Sequence, residues 1–203
     1  MRLLHEPLTL IIAIPALIWA LTFHEFCHGL AARLCGDPTA ARSGRLSLNP
    51  FDHFDLIGTL MLLFVGFGWA KPVPINARYF KNPRLDLVIV SLAGVAGNLL
   101  TAILTVLFFR YCGSWWINLT GRAGIIFLQQ MISINMGLAA FNLIPIPPLD
   151  GSRVLEAFLP YKYMHIYYWL EQYGLIIIFV LVFTGIIDIF FNPIINLLWK
   201  LLP

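Results

Sequence analysis

Five stretches of this chain carry no charged residue: 7–23, 56–70, 87–109, 123–149 and 172–187. A helix needs about 20 apolar residues to cross the roughly 30 Å hydrocarbon layer of a bilayer. Four of the stretches come near or pass that length, and the first is prolonged by an apolar pattern resuming at Leu30, Ala31 and Ala32. Only 11% of the 203 residues are charged and the mean hydropathy is +0.83. A soluble domain carries about 25% charge, so a soluble enzyme, a disordered chain and a nucleic-acid partner are poor readings. A single membrane-embedded domain over residues 1–203 is expected, surrounded by lipid.

The expected fold is an all-α polytopic membrane protein with about four transmembrane helices, near 7–32, 87–109, 123–145 and 170–191. Residues 56–70 are short for a span and are interrupted by Gly58, Gly66 and Gly68. They read as a re-entrant segment, which is tolerable where protein or a wet cavity covers the backbone. Two polar stretches lie between the runs. Residues 42–49 alternate in the manner of a short membrane-associated β-strand. Residues 71–80 hold two prolines and suit an edge strand or an extended segment. The first run lacks a small-residue cleavage pattern and ends in a His/Glu cluster, so it is expected to stay as a helix and not to be removed as a leader. Cys27, Cys35 and Cys112 form no CxxC pair and read as small buried hydrophobes.

Charge placement sets the orientation. If 56–70 returns to its own side, Arg33, Arg42, Arg45, Lys71, Arg78, Lys81, Arg84, Arg153 and Lys162 share one side, against Arg2, Arg110, Arg122 and Lys200 on the other. The positive-inside rule then places 33–86 in the cytoplasm of a cell (plasma or inner) membrane.

His24-Glu25-Phe26-Cys27-His28 carries the chemistry. Residues i and i+4 of a helix sit about 40° apart, so both imidazoles can reach one metal ion. Glu25 flanks that face, within reach of a metal-bound water without being a ligand. Ionisable groups at the end of an apolar run are costly and require partners. A polar, headgroup-solvated helix end is the plainer alternative. Catalytic zinc takes three protein ligands and keeps one open position. His5, His53, His165, Asp86, Asp150 and Asp188 are candidates for the third. Asp150 stands out because Pro145-Ile-Pro-Pro148 breaks the preceding helix just before it.

HEFCH, followed by Phe141-Asn-Leu-Ile-Pro-Ile-Pro-Pro-Leu-Asp-Gly151, resembles the site-2 protease family of intramembrane zinc metalloproteases, whose members pair HExxH with NxxPxxPxDG. Gly68-Trp-Ala-Lys-Pro-Val-Pro74 and Asn82-Pro83 resemble compact prokaryotic members. The resemblance implies one catalytic zinc per chain held by His24, His28 and Asp150, with Glu25 as general base. It implies that Asn142, with Asn98 as a second donor, binds the substrate carbonyl or its oxyanion. Where the family often has Gly-Pro-x-x-Asn, this chain reads Gly94-Val-Ala-Gly-Asn98, with Val95 in place of proline. The implied activity is hydrolysis of transmembrane proteins or peptides, in regulated intramembrane proteolysis or clearance of signal-peptide remnants, with the active site toward the cytoplasm. A catalytically silent scaffold of the same family would be expected to lack Glu25 or a ligand. A metal transporter would not need Glu25 and often shows inverted repeats, which this sequence lacks.

Overall fold

The computed structural model describes residues 7–55, 58, 68, 70–200 and 202. The expected re-entrant segment 56–70 thus lies outside the described residues, apart from Gly58, Gly68 and Ala70. Helix α1 spans Pro7–Leu34 and keeps Pro15 within it. A short helix α2 follows at Thr39–Arg42, then 3₁₀ turns at Pro50–His53 and Ala77–Tyr79. Helix α3 spans Pro83–Asn142, α4 Asp150–Phe158, α5 Met164–Thr184 and α6 Asp188–Trp199. Among the described residues, three helical stretches are long and apolar enough to cross a membrane: Leu8–Leu34, Pro83–Asn142 and Tyr161–Thr184.

Straight, the 60 residues of α3 would reach about 90 Å, three times the hydrocarbon thickness. The helix is instead broken at Gly121, whose φ of 61° and ψ of −145° suit glycine alone. Residues 98 and 135 would lie about 55 Å apart on a straight helix, yet their side chains are hydrogen-bonded at 2.9 Å. The two arms of α3 therefore fold against each other as a hairpin. Val95 and Ala102 from one arm share a core with Met136, Ala139 and Ala140 from the other, closed by Leu198 of α6.

Helix α1 lies against the first arm. Ala16, Ala20 and Ala32 are fully buried there, and Gly94 and Gly97 face it. Small residues on both helices let the backbones approach, as in membrane helix pairs generally. Ile144, Leu149, Ile178 and Ile187 form a further core that fixes the loop before α4 against α5.

Three expectations are corrected. No strand forms among the described residues: 43–49, after α2 ends at Arg42, consists of turns, bends and irregular chain, and 71–76 takes no regular secondary structure. Scattered side-chain and backbone bonds hold 71–76 in place of a ladder, as described below. The helix expected at 87–109 continues past Arg110 to Gly121, because a charge marks the membrane edge and not the helix end. The helix expected at 170–191 is divided, since Gly185 adopts φ 73° and caps α5 before α6 begins.

Candidate metal centre and catalytic cavity

His24 and His28 stand one turn apart on α1, and Asp150 opens α4 immediately after the proline loop. The turn from Ile144 to Asp150 is held by backbone bonds from Ile146 to Ile144 and from Leu149 to Ile146. The Ser152 amide and hydroxyl both donate to the Leu149 carbonyl, fixing the first turn of α4. These bonds carry Asp150 across to α1. His24 Nε2 and His28 Nε2 are 3.0 Å apart, and each lies 3.1 Å from Asp150 Oδ2. All three residues are buried, with 5%, 6% and 9% exposure.

The far side of each imidazole decides what those three atoms can be. His28 Nδ1 lies 2.7 Å from the Val90 carbonyl oxygen, which can only accept, so Nδ1 carries the proton. His24 Nδ1 lies 2.6 Å from Asn98 Oδ1. The Asn98 amide is oriented by two donations from its Nδ2, to the Ala20 carbonyl at 3.1 Å and to Asn135 Oδ1 at 2.9 Å. Asn135 in turn donates to the Met131 carbonyl. His24 Nδ1 is therefore also the protonated nitrogen. Both Nε2 atoms then present lone pairs to each other and to a carboxylate oxygen.

Three acceptors within 3.1 Å repel one another unless a cation lies among them. The edge of a tetrahedron with zinc bonds of about 2.0–2.1 Å is about 3.3 Å, close to the observed triangle. The donor set of two imidazoles and one carboxylate, each imidazole oriented by a partner on its other nitrogen, fits a catalytic zinc site. Gly94 completes the fit. A Cβ there would stand 2.5 Å from His28 Nε2 and 2.7 Å from His24 Nε2, so the helix can press on the centre only without a side chain.

The centre opens into a cavity of about 260 Å³, whose lining includes Glu25, Val73, Phe141, Asn142 and Arg153. Glu25 Oε2 accepts the Val73 amide hydrogen at 2.8 Å, and Glu25 lines the cavity. Val73 belongs to the extended stretch 70–76, a strap along α1. Three residues on, the Asn76 amide donates to Asp37 Oδ2 at 2.6 Å, and Asp37 is fully buried. Arg45 Nη2 donates to the Lys71 and Pro72 carbonyls, and the Lys71 amide donates to the His53 carbonyl. Three side chains and one backbone carbonyl thus hold the strap where a strand partner would.

The residues singled out from the sequence divide cleanly. His24, His28 and Asp150 converge, and Glu25 and Asn142 line the same cavity. Asn142 donates one Nδ2 hydrogen to the Leu138 carbonyl, which leaves a second. Asn98 does not line the cavity: both its donors are engaged and its oxygen serves His24. The remaining candidates lie elsewhere. His53 Nε2 donates to the Ser47 carbonyl, His165 Nδ1 donates to the Lys162 carbonyl, and Asp86 accepts from the Asn82 amide. Asp188 is exposed at the start of α6, and His5 lies outside the described residues. The Cys27 thiol packs at Gly97 and not on the centre.

Sequence reasoning passed over Asn135, Asp37 and the Val73 amide. An asparagine inside an uncharged membrane run is a signal in itself, because it must find a partner. Nothing in the sequence marks a backbone amide as the partner of a catalytic carboxylate.

Comparison with known proteins agrees with this geometry. The profile described as peptidase family M50 matches residues 117–197, which include Asn142 and Asp150. YwhC of Bacillus subtilis, provisionally named a zinc metalloprotease, is 40% identical over 200 residues, covering 96% of this chain and 91% of its own length. Rip2 of Mycolicibacterium smegmatis, named in the same way, is 31% identical over 188 residues, covering 89% and 70%. MJ0611 of Methanocaldococcus jannaschii, again so named, is 29% identical over 156 residues, covering 73% and 71%. No solved structure matches. With similarity to YwhC along nearly its whole length, and with the HExxH helix and the aspartate brought to one centre, the chain belongs to peptidase family M50, the site-2 protease family.

Proposed function

We propose that the chain is a zinc-dependent intramembrane endopeptidase that hydrolyses peptide bonds of transmembrane proteins or peptides. It is a membrane protein, and the observation that carries the reaction class is the convergence of three lone pairs beside a carboxylate that is not a ligand. His24, His28 and Asp150 hold one zinc ion. Zinc bound there supplies a Lewis acid and lowers the pKa of a water to near neutrality. Glu25, held by the Val73 amide at Oε2, receives the proton of the attacking water at Oε1 and passes it to the leaving amine. The free Nδ2 hydrogen of Asn142 binds the scissile carbonyl as negative charge develops on it. Asn98 is a positioning residue: it fixes the ring and tautomer of His24 and makes no contact with substrate.

The membrane arrangement follows from the fold and the charges. Each arm of the α3 hairpin is a span, which with α1 and α5 makes four crossings of one domain. The larger group of basic residues lies on the cytoplasmic side together with the strap and the cavity mouth. The substrate must present extended backbone, because a closed helix hides its peptide bonds. The strap is the surface beside which an unwound segment lies.

Glu25→Gln tests the assignment. The purified variant should bind one zinc per chain while cleavage of a transmembrane substrate falls by about 10²–10⁴-fold, the usual contribution of a general base. Cleavage at the wild-type rate would remove Glu25 from its role. A silent scaffold would show no cleavage even for the wild type, and a transporter would move zinc across vesicles.

A further inference from the structure

We propose that Arg153 selects substrates carrying a carboxylate at or beside the scissile bond, an inference that rests on the proteolytic reading above. Arg153 stands three residues after Asp150 on α4, a spacing that places both on one face of the helix. It is half-buried and lines the cavity with Glu25 and the three ligands. A guanidinium offers five donors in a planar fork and accepts none. Among the described residues no carboxylate lies within ion-pair distance of it, and the ion pairs present are those of Asp150 with the two histidines.

The two acidic groups that share the cavity are already engaged, Asp150 with the histidines and Glu25 with the Val73 amide. The rest of the lining is largely apolar, including Leu21, Ile75 and Ile178. A cation on such a wall attracts an anion more strongly than it would in open water, and none of the described carboxylates supplies it, so the anion would arrive with the substrate. A planar guanidinium takes a carboxylate through two parallel bonds. The cavity, about 260 Å³, has room for few side chains, so the carboxylate must belong to a residue at or next to the cleaved bond. Acidic residues are rare within membrane spans. Such a requirement would direct cleavage to the edge of a transmembrane segment.

Two sources offer this chemistry: an Asp or Glu side chain, or the terminal carboxylate of a short remnant. The test uses the full chain, zinc-loaded, in lipid nanodiscs. An apolar transmembrane peptide is first cleaved and its bond located by mass spectrometry. Asp and Asn are then placed in turn at each flanking position, and separate peptides ending at those positions are made as free acids and as amides. The wild type should favour the acid member of one set by about tenfold or more in kcat/KM, and that set names the source. Arg153→Gln should bring the ratio near one, and Arg153→Glu should turn the preference toward a Lys-bearing peptide, with zinc content at the wild-type level in both. Equal kcat/KM for every wild-type pair, or an acid preference that survives in Arg153→Gln, would overturn the role of Arg153. If zinc-loaded wild type cleaves none of the peptides, the proteolytic reading itself falls, and this inference with it.

Discussion

The two walls of the catalytic cavity are built by different means. On one side α1 packs on the first arm of α3, and a fully buried chain of side chains runs from Asn135 through Asn98 to His24. On the other side lies the strap, 70–76, whose amides donate to Glu25, Asp37 and the His53 carbonyl and whose carbonyls accept from Arg45. The first wall can move only by unpacking helices and stripping buried polar groups of their partners, a loss of about 1–3 kcal/mol for each group. Each bond on the strap contributes about 0.5–1.5 kcal/mol, and those of Arg45 are exposed. The metal-holding wall is therefore pre-organised, while the substrate-facing wall can yield. On the proposed reading, that division lets an unwound segment enter without disturbing the zinc.

Three substitutions probe the division, taken from the strongest effect downward. Gly94→Val should have the greatest. Its Cβ would fall 2.5 Å from His28 Nε2, so the imidazoles must leave their triangle. Zinc measured by plasma mass spectrometry should drop from one per chain toward none, and cleavage should vanish, while helical content by circular dichroism is retained. A variant with full zinc would show that the first wall yields after all.

Asn98→Ala should follow. It frees His24 Nδ1 and leaves the Asn135 oxygen without its donor, so zinc affinity should fall about 10–100-fold, the usual range for the outer partner of a metal-bound histidine. Competition with a chelator reads this directly. An unchanged affinity would mean that ring packing alone orients His24.

Val73→Pro should have the smallest effect and a different signature. It removes the amide that holds Glu25 Oε2, so kcat should fall by about tenfold for a hydrogen bond to a charged group. Zinc affinity should stay at the wild-type value. Loss of zinc in this variant would erase the distinction between the walls.

The same division decides what can be read without a structure. His24, Glu25 and His28 are legible because helical periodicity is local: three side chains within five residues announce one face. Asp150 is legible because prolines must end a helix, although its meeting with α1 across 122 residues of chain is a tertiary fact. Asn98 can be noticed but not assigned, since its amide faces either the cavity or His24 depending on how α1 meets α3. The hairpin at Gly121 is half readable, as Arg110 and Arg122 bracket a place where chain should meet water, yet the helix runs on almost to the bend. The strap is the least legible region. Its alternation suggests strands, but its amides are taken by Glu25 and Asp37, which lie 48 and 39 residues away in the chain. Periodicity gives no access to partners of that kind.

The distance along the chain between the ligands has one more consequence, for biosynthesis. Asp150 follows His28 by 122 residues, which at about 5–20 residues per second takes the ribosome roughly 6–24 s. Throughout that interval the nascent chain carries the two histidines without Asp150 to join them, and Asn135, which steadies Asn98, is also made late. The loops that will frame the cavity are threaded past an active centre that does not yet exist. On the proposed reading, in which unwound membrane segments are the substrate, the hydrolase is thereby kept inert while its own segments are still unwound.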